Sequence, residues 1–263
     1  MKLSYFISIA MNAEEFDNTE KLYHYTTFDN AVKILLGSQL KFSSLSNMND
    51  FYESNKIFGC DGRANHELLD LLEEEIHKYK QISLVVDKKR MGFDVPAMWG
   101  HYADKNHGVC IVLNKEKIIA TLDKLGCYNY EVKYTTKACR WFPTTITQKT
   151  NIESYIKRNI KQIFYLKTPD WKYEQEFRVI SKNEVSFLPL DDAILGVILN
   201  GHALSNKEIE YKEGLLTRLN QKVLIYHDKL FSNDVILTYQ KDQIYPLERI
   251  ISIAPKEMWC ECQ

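Results

Sequence analysis

The residue types that catalysis most often uses are concentrated in four short clusters of this 263-residue chain. They are residues 23–26, residues 47–50 with Glu53, residues 98–102, and residues 171–178. None of these clusters contains a phosphate-binding P-loop, a dinucleotide-binding glycine motif, a hydrolase nucleophile elbow or a zinc-protease helix motif. Kinase, Rossmann dehydrogenase, α/β-hydrolase and zinc-protease chemistry are therefore not indicated.

Glu174 and Glu176 form the most suggestive pair. On a strand, residues two apart point to the same face, about 7 Å apart. Like charges at that spacing separate their pKa values, so that one carboxylate stays ionised while the other accepts a proton. The pair predicts acid/base chemistry. The alternative is a solvated strand edge on which both glutamates pair with Arg178 and with lysines.

His24 lies between two tyrosines in a run typical of a strand. An imidazole can orient a ribose hydroxyl, and the faces of neighbouring aromatic rings can hold a flat heterocycle. Trp99 and Tyr102 lie on a predicted short helix and suggest the same role. The alternative is that His24 and this Met-Trp-x-x-Tyr stripe are ordinary core residues.

His101 and His107 are the only pair that suggests a metal site. They are six residues apart across the end of a predicted helix, and no cysteine pair lies near them in the sequence. We therefore predict no metal, and a metal-dependent hydrolase remains a minor alternative.

Residues 131–172 carry nine basic and three acidic residues, a local excess of six positive charges. Basic residues interleaved with aromatic ones can hold phosphates and stack bases. The candidates for nucleic-acid contact in this segment are Arg140, Lys157, Arg158 and Lys161. The alternative is a lysine-rich face that is simply solvated.

The whole-chain composition excludes other classes. A formal net charge of −1 provides no overall attraction to nucleic acid or to an anionic membrane, and no apolar run is long enough to span a bilayer. The six cysteines are irregularly spaced and include no CxxC pair, which favours reduced thiols and a cytoplasmic protein.

Short apolar runs predict strands that outnumber the long helices and do not alternate regularly with crossover helices. This pattern favours the α+β class with antiparallel sheet. Periodicity predicts helices over residues 29–36, 65–80, 115–125 and 152–166, and another that follows a capping box at Ser205. We expect a single domain over residues 1–263, with its core over roughly 20–240, a helical insertion at about 51–80 and the basic and aromatic segment at 131–172.

Several of these motifs, taken in order, resemble the bacterial domain-of-unknown-function family 2971. They are residues 22–26, residues 40–43 with Asn49, Asp50 and Glu53, residues 98–111, and residues 167–178. The chain departs from that family at Phe51, where the family often has proline, and near Ser83, where it often has cysteine.

That family resembles, more distantly, the ADP-ribosyltransferase superfamily. The resemblance implies split antiparallel sheets with helical insertions, and NAD bound as a substrate in the cleft. It implies a histidine on the first strand (His24), a second position at Phe42 or Ser43, and a late glutamate (Glu176) preceded by Glu174. The further NAD contacts that it implies are Tyr25, Thr26, Asn49, Trp99 and Tyr102.

The function implied is NAD-dependent ADP-ribosyl transfer by a bacterial toxin or anti-phage effector that modifies RNA or DNA. Such a toxin is expected to have an antitoxin protein as a partner. Two alternatives stay open: transfer to protein, and a non-catalytic module that binds a nucleotide or RNA.

Overall fold

The computed structural model describes residues 19–48, 58–59, 66–88, 90–136, 140–141, 152–182, 185–228, 235–238 and 251–252. The seven α-helices in these ranges are α1 Phe28–Gly37, α2 His66–His77, α3 Pro96–Tyr102, α4 Lys115–Lys124, α5 Ile152–Arg158, α6 Ile160–Phe164 and α7 Asn206–Arg218.

The strands up to the middle of the chain are β1 Lys21–Thr26, β2 Gln39–Lys41, β3 Ser43–Ser44, β4 Phe58–Gly59, β5 Tyr79–Val86, β6 Val109–Asn114, β7 Tyr128–Glu131 and β8 Lys133–Tyr134. The later strands are β9 Arg140–Trp141, β10 Leu166–Lys167, β11 Glu176–Lys182, β12 Phe187–Pro189, β13 Ile194–Asn200, β14 Val223–Asp228, β15 Val235–Thr238 and β16 Ile251–Ser252. The pairing between neighbouring strands is mostly antiparallel, so the α+β class predicted from the sequence is confirmed.

The chain forms two compact units, each built from separate segments. The first contains residues 1–39, 85–118 and 190–263, and the second contains residues 40–84 and 119–189. The single domain expected from the sequence stays a prediction.

In the first unit the strand order is β16-β15-β14-β13-β6-β1. All six residues of β6 are buried, because β1 and β13 cover its two edges and both of its faces are packed. Val85 and Val86, at the end of β5, pair with β1 on its other side. β1 is thus an interior strand, which fixes the positions of residues 21–26.

In the second unit the strand order is β7-β11-β5, and β3 also pairs with β5. Its core joins apolar residues of α2, α5 and α6 to those of the strands, among them Leu72, Tyr79, Ile156, Phe164 and Ile180. The predicted helix over 152–166 is interrupted at Asn159, and β7 is separated from β8 by Val132. Val132 instead donates its backbone N–H to the Glu176 carbonyl.

Helix ends follow local capping chemistry. Ser205 caps α7 through the predicted capping box with Glu208, which confirms that motif. Helix α1 ends at Gly37, and Ser38 caps it in a left-handed conformation (φ 45°, ψ 45°).

Candidate functional site

The segment before β11 corrects one detail of the sequence prediction. Pro169 opens a 3₁₀ helix, Pro169–Glu174, and Gln175 ends it in a left-handed conformation (φ 46°, ψ 46°). Only Glu176 begins the strand, so the prediction that both glutamates lie on one strand is wrong. The turn at Gln175 changes the chain direction between the two carboxylates.

Both carboxylates nevertheless face the same cation. Lys167 Nζ lies 2.6 Å from Glu174 Oε2 and 3.8 Å from Glu176 Oε2. Arg178 binds Glu176 through both carboxylate oxygens, with Nε donating to Oε1 at 2.7 Å and Nη2 donating to Oε2 at 2.6 Å. We call Lys167, Glu174, Glu176 and Arg178 the buried ion cluster.

The buried ion cluster is sealed from solvent. Glu174 is 4% exposed, Glu176 3% and Arg178 0%. Two carboxylates and two cations balance in charge, as they must where desolvation is so costly. The pairing with Arg178 and a lysine agrees with the alternative drawn from the sequence, but the solvated edge that accompanied it is wrong, because α6 and the 3₁₀ turn contribute partners that bury the cluster.

Three further groups hold the buried ion cluster in place, and none of these contacts was predicted from the sequence. Arg178 Nη1 donates to the Phe164 carbonyl at 2.5 Å, the Tyr134 hydroxyl accepts the Glu176 backbone N–H at 3.0 Å, and Lys167 Nζ lies 4.6 Å from the Trp171 ring centroid. Burial is the main reason that the pKa of Tyr134 is raised. The sequence does contain a signal for the Glu176–Arg178 pair. The two residues have i, i+2 spacing, which places them on one face of β11.

His24 lies near the middle of β1, opposite Ile111 of β6, and is half-buried. Its neighbours Tyr25 and Thr26 are buried. The strand placement predicted for residues 22–26 is confirmed. Of the three candidate NAD contacts on β1, His24 is the most accessible.

Tyr25 and Trp99 belong to an aromatic core in the first unit. Their ring centroids are 5.1 Å apart in an edge-to-face arrangement, and Trp99 also stacks on Tyr226 at 6.0 Å. Trp99 is fully buried and donates its indole N–H to the Phe93 carbonyl at 2.8 Å. Trp99 therefore has the core environment that was the alternative for its stripe, and Tyr25 shares that environment. Tyr102, at the end of α3, is half-buried.

In the first unit, a set of hydrogen bonds joins β1 to the loop after β5. The Tyr23 hydroxyl donates to Asp87 Oδ2 at 3.1 Å, and the Gly92 N–H donates to Asp87 Oδ1 at 2.6 Å. Burial raises the pKa of Asp87, although the Gly92 N–H opposes this effect. Tyr25 donates to the Gly92 carbonyl at 2.8 Å, so two tyrosines of the predicted cluster hold this loop.

Phe42 and Ser43 are predicted NAD contacts that belong to the second unit. Ser43 is exposed and pairs with Gln81 across β3 and β5, while Phe42, just before it, is buried. Asn49 lies outside the described residues.

The basic candidates Lys157, Arg158 and Lys161 are exposed. Lys157 pairs with Glu153 at 3.3 Å, and Lys161 Nζ lies 4.0 Å from the ring centroid of Tyr130, which is itself partly exposed. Arg140 begins β9, and its side chain lies outside what the structure describes.

Neither histidine of the metal alternative is placed in a cluster of ligands. His107 Nδ1 lies 3.6 Å from Glu208 Oε1, and both side chains are about half exposed. Within the described ranges, no group of three or more His, Cys, Asp or Glu residues is arranged to hold a metal ion. In the same ranges, no helix has the length and apolar character needed to cross a bilayer.

Comparisons with known proteins agree with the family resemblance over part of the chain. The model of the family described as protein of unknown function DUF2971 matches residues 98–179. Among solved structures, the chain is similar to DarT from Thermus sp. 2.9 in complex with NAD+, with 13% identity and a TM-score of 0.36 over 79% of this chain and 96% of that one. No curated protein matches the chain in sequence. The resemblance to family 2971 is thereby confirmed over a stretch that holds residues 98–111 and the whole buried ion cluster.

Proposed function

We propose that this protein is an NAD-dependent ADP-ribosyltransferase. One observation carries the proposal: His24, Ser43 and Glu176 each lie on a strand, in the chain order that the superfamily resemblance implies. The matched stretch 98–179 supports it further, since it contains two of the motifs on which the resemblance rests.

The reaction breaks the bond between the ribose C1′ and the nicotinamide nitrogen. The bonding electron pair leaves with nicotinamide, and positive charge develops on the ribose. A nucleophile of the acceptor then bonds to C1′ and gives up its proton to a base. In our assignment Glu176 stabilises the developing charge through the ribose 2′-hydroxyl, Glu174 takes the proton, and His24 and Thr26 anchor ribose.

The buried ion cluster sets a condition on this chemistry. Arg178 occupies one lone pair on each oxygen of Glu176, and a carboxylate has further lone pairs that a ribose hydroxyl could use. With Glu176 only 3% exposed, those lone pairs become accessible only when the groups that cover them move. Glu174 must likewise exchange its contact with Lys167 for the proton of the acceptor.

We assign RNA or DNA as the acceptor, through Lys157, Arg158 and Lys161, with Arg140 as a further candidate. The three residues are exposed on consecutive helices and lie in the segment with six excess positive charges. In this proposal the protein acts in the cytoplasm as a toxin or anti-phage effector and is neutralised by an antitoxin protein. Mass spectrometry of nucleic acid and protein from expressing cells identifies the acceptor by its added ADP-ribose.

The direct test compares Glu176→Gln with Arg178→Gln, incubated with labelled NAD and cell extract. Both variants break the same ion pair, so a purely structural role predicts equal losses of nicotinamide release per folded molecule. Catalysis by Glu176 predicts a loss for Glu176→Gln at least 100-fold larger than for Arg178→Gln. Circular dichroism at the assay temperature gives the folded fraction. Absence of both transfer and nicotinamide release in the wild type would refute the proposal.

A second candidate is a non-catalytic module that binds a nucleotide or RNA. It is favoured by the burial and charge balance of the ion cluster, which are typical of a structural network. In that case Glu176→Gln leaves the biological activity of the folded protein nearly intact. Charge reversal at Lys157, Arg158 and Lys161 abolishes it.

The charge-reversal variant also measures nucleic-acid contact directly. Removing three phosphate contacts lowers the slope of log affinity against log salt by about two to three. Charge reversal at Lys124, Lys207 and Arg218, which are exposed but lie outside the basic segment, is the matched control and should leave the slope unchanged. Equal changes of this slope in the two triple variants would show that the basic segment is not the nucleic-acid contact.

A further inference from the structure

One buried acceptor in the second unit has no partner. Gln81 on β5 is 1% exposed, and its Nε2 donates to Met48 Sδ at 2.8 Å and to Ser83 Oγ at 3.2 Å. Among the described residues, Gln81 Oε1 is the single buried side-chain nitrogen or oxygen that forms no hydrogen bond. Such an atom costs about 1–3 kcal/mol, and folded proteins contain only a few of them.

Two serines beside Gln81 reach solvent. Ser43 lies directly opposite Gln81 in the antiparallel β3–β5 pair, so the two side chains share a face. Ser83 follows two residues later on the same face, and both serines are exposed. We call Ser43, Gln81 and Ser83 the β3–β5 polar face.

The orientation of the Gln81 amide selects the chemistry of a ligand. Because Met48 and Ser83 both accept from Nε2, the amide oxygen is left to accept a hydrogen bond. An amide oxygen attracts N–H donors and repels phosphate or carboxylate oxygens. A planar NH₂ group has two hydrogens, and Gln81 Oε1 and a neighbouring serine oxygen supply two acceptors on one face.

We propose that the β3–β5 polar face binds an NH₂ group of a nucleotide, with Gln81 as the residue that determines specificity. This inference rests on the proposed function and deepens it, because NAD carries two such groups: the nicotinamide carboxamide and the exocyclic amine of adenine. β5 is also the immediate neighbour of β11, the strand that begins at Glu176.

The test is equilibrium binding, measured by calorimetry, of NAD and two analogues to the full-length protein. One analogue has a carboxylate in place of the carboxamide, and the other has hypoxanthine in place of adenine. The wild type should bind one analogue about tenfold more weakly than NAD, and that analogue identifies the NH₂ group. Gln81→Leu should weaken NAD binding about tenfold and remove the preference, while the affinity for that analogue stays unchanged.

Two serine variants keep the test decisive if Gln81→Leu does not fold. Ser43→Ala on the polar face should weaken NAD binding about threefold. Ser46→Ala is the matched control, because Ser46 is exposed nearby but its hydroxyl contacts Ser44, at 2.9 Å. Its affinity for NAD should equal that of the wild type.

The outcomes separate this inference from the proposed function. If the wild type binds NAD, Gln81→Leu keeps the preference among the three dinucleotides and Ser43→Ala does not weaken NAD binding, the inference is overturned and the transferase proposal stands. Equal affinity of the wild type for NAD and both analogues would likewise overturn the inference and leave the transferase proposal standing. If the wild type binds none of them, both are overturned.

Discussion

At the residue scale, we expect Lys167 to contribute more to the stability of the fold than an exposed lysine would. It is buried between Glu174 and Glu176, so removing it leaves carboxylate charge without its nearest cation. We expect Lys167→Met to lower the free energy of unfolding by about 3–5 kcal/mol. Chemical denaturation followed by circular dichroism measures the change.

Lys182 provides the matched control for Lys167. It is 39% exposed and also contacts two glutamates, Glu75 and Glu153, each at 2.9 Å. Water screens this network, so Lys182→Met should cost less than about 1 kcal/mol. Similar losses of unfolding free energy for the two lysine variants would show that burial does not determine how much the ion cluster stabilises the protein.

Gly108 lies at a position where the structure leaves no room for a side chain. A Cβ there would lie 2.3 Å from the Thr26 carbonyl oxygen and 2.7 Å from the Ala103 carbonyl carbon, both of them backbone atoms. Gly108→Ala should therefore destabilise the protein by roughly 1–3 kcal/mol through forced backbone movement. Thermal unfolding of the variant tests this.

Gly100 is the internal control for Gly108, since both lie within residues 98–111. A Cβ at Gly100 meets no atom within 4 Å, and the residue lies in helix α3. Gly100→Ala should stabilise the protein by about 0.5–1 kcal/mol. A loss of stability at Gly100 equal to that at Gly108 would contradict the steric argument.

At the element scale, helices α2 and α5 are tied to β11 by an ion network. Lys78 and Lys182 hold the pKa of Glu75 below its usual value, with the hydrogen bond from Lys78 as the largest cause, and Lys182 and Lys157 do the same for Glu153. A carboxyl pKa that is lowered in the folded state stabilises the protein above its ordinary value of about 4.5. That contribution is lost as the pH falls through the folded pKa.

We expect Lys182→Met to raise the pKa of both Glu75 and Glu153. The pKa of Glu75 should stay below its ordinary value, because Lys78 remains 2.5 Å away. Carboxyl chemical shifts followed by NMR across the acid range report both values directly. An unchanged pKa of Glu153 would show that Lys157 alone holds that carboxylate ionised.

At the scale of the whole molecule, the chain passes between the two compact units four times. Neither unit is a continuous stretch of sequence, because each is interrupted by segments that belong to the other. We therefore expect one cooperative thermal transition, with equal calorimetric and van't Hoff enthalpies.

Core substitutions, one in each unit, test this cooperativity. Leu199 on β13 and Leu72 on α2 are fully buried, and truncation of each to alanine should cost about 2–5 kcal/mol. Both variants should shift the same single transition. Separate transitions, each shifted by only one of the two variants, would show that the units unfold independently.

The sequence by itself determined the class of fold and the identity of the main elements. Three local patterns gave these elements: the β-branched and aromatic run at residues 22–26, the helical spacing of Leu68 and Leu72, and the Ser205 capping box. Local sterics and hydrogen bonding are enough to interpret them. The placement of His24 and Glu176 on strands follows from the same local signals.

Only the tertiary structure decided what surrounds those side chains. The burial of Glu174 and Glu176 against Lys167 and Arg178 depends on the left-handed turn at Gln175 and on a carbonyl that α6 presents. The orphaned oxygen of Gln81 depends on Met48, which lies 33 residues earlier in the chain. Burial and ion pairing are set by contacts between segments that are distant in sequence. A local pattern of residues does not specify which distant group will cover a given side chain.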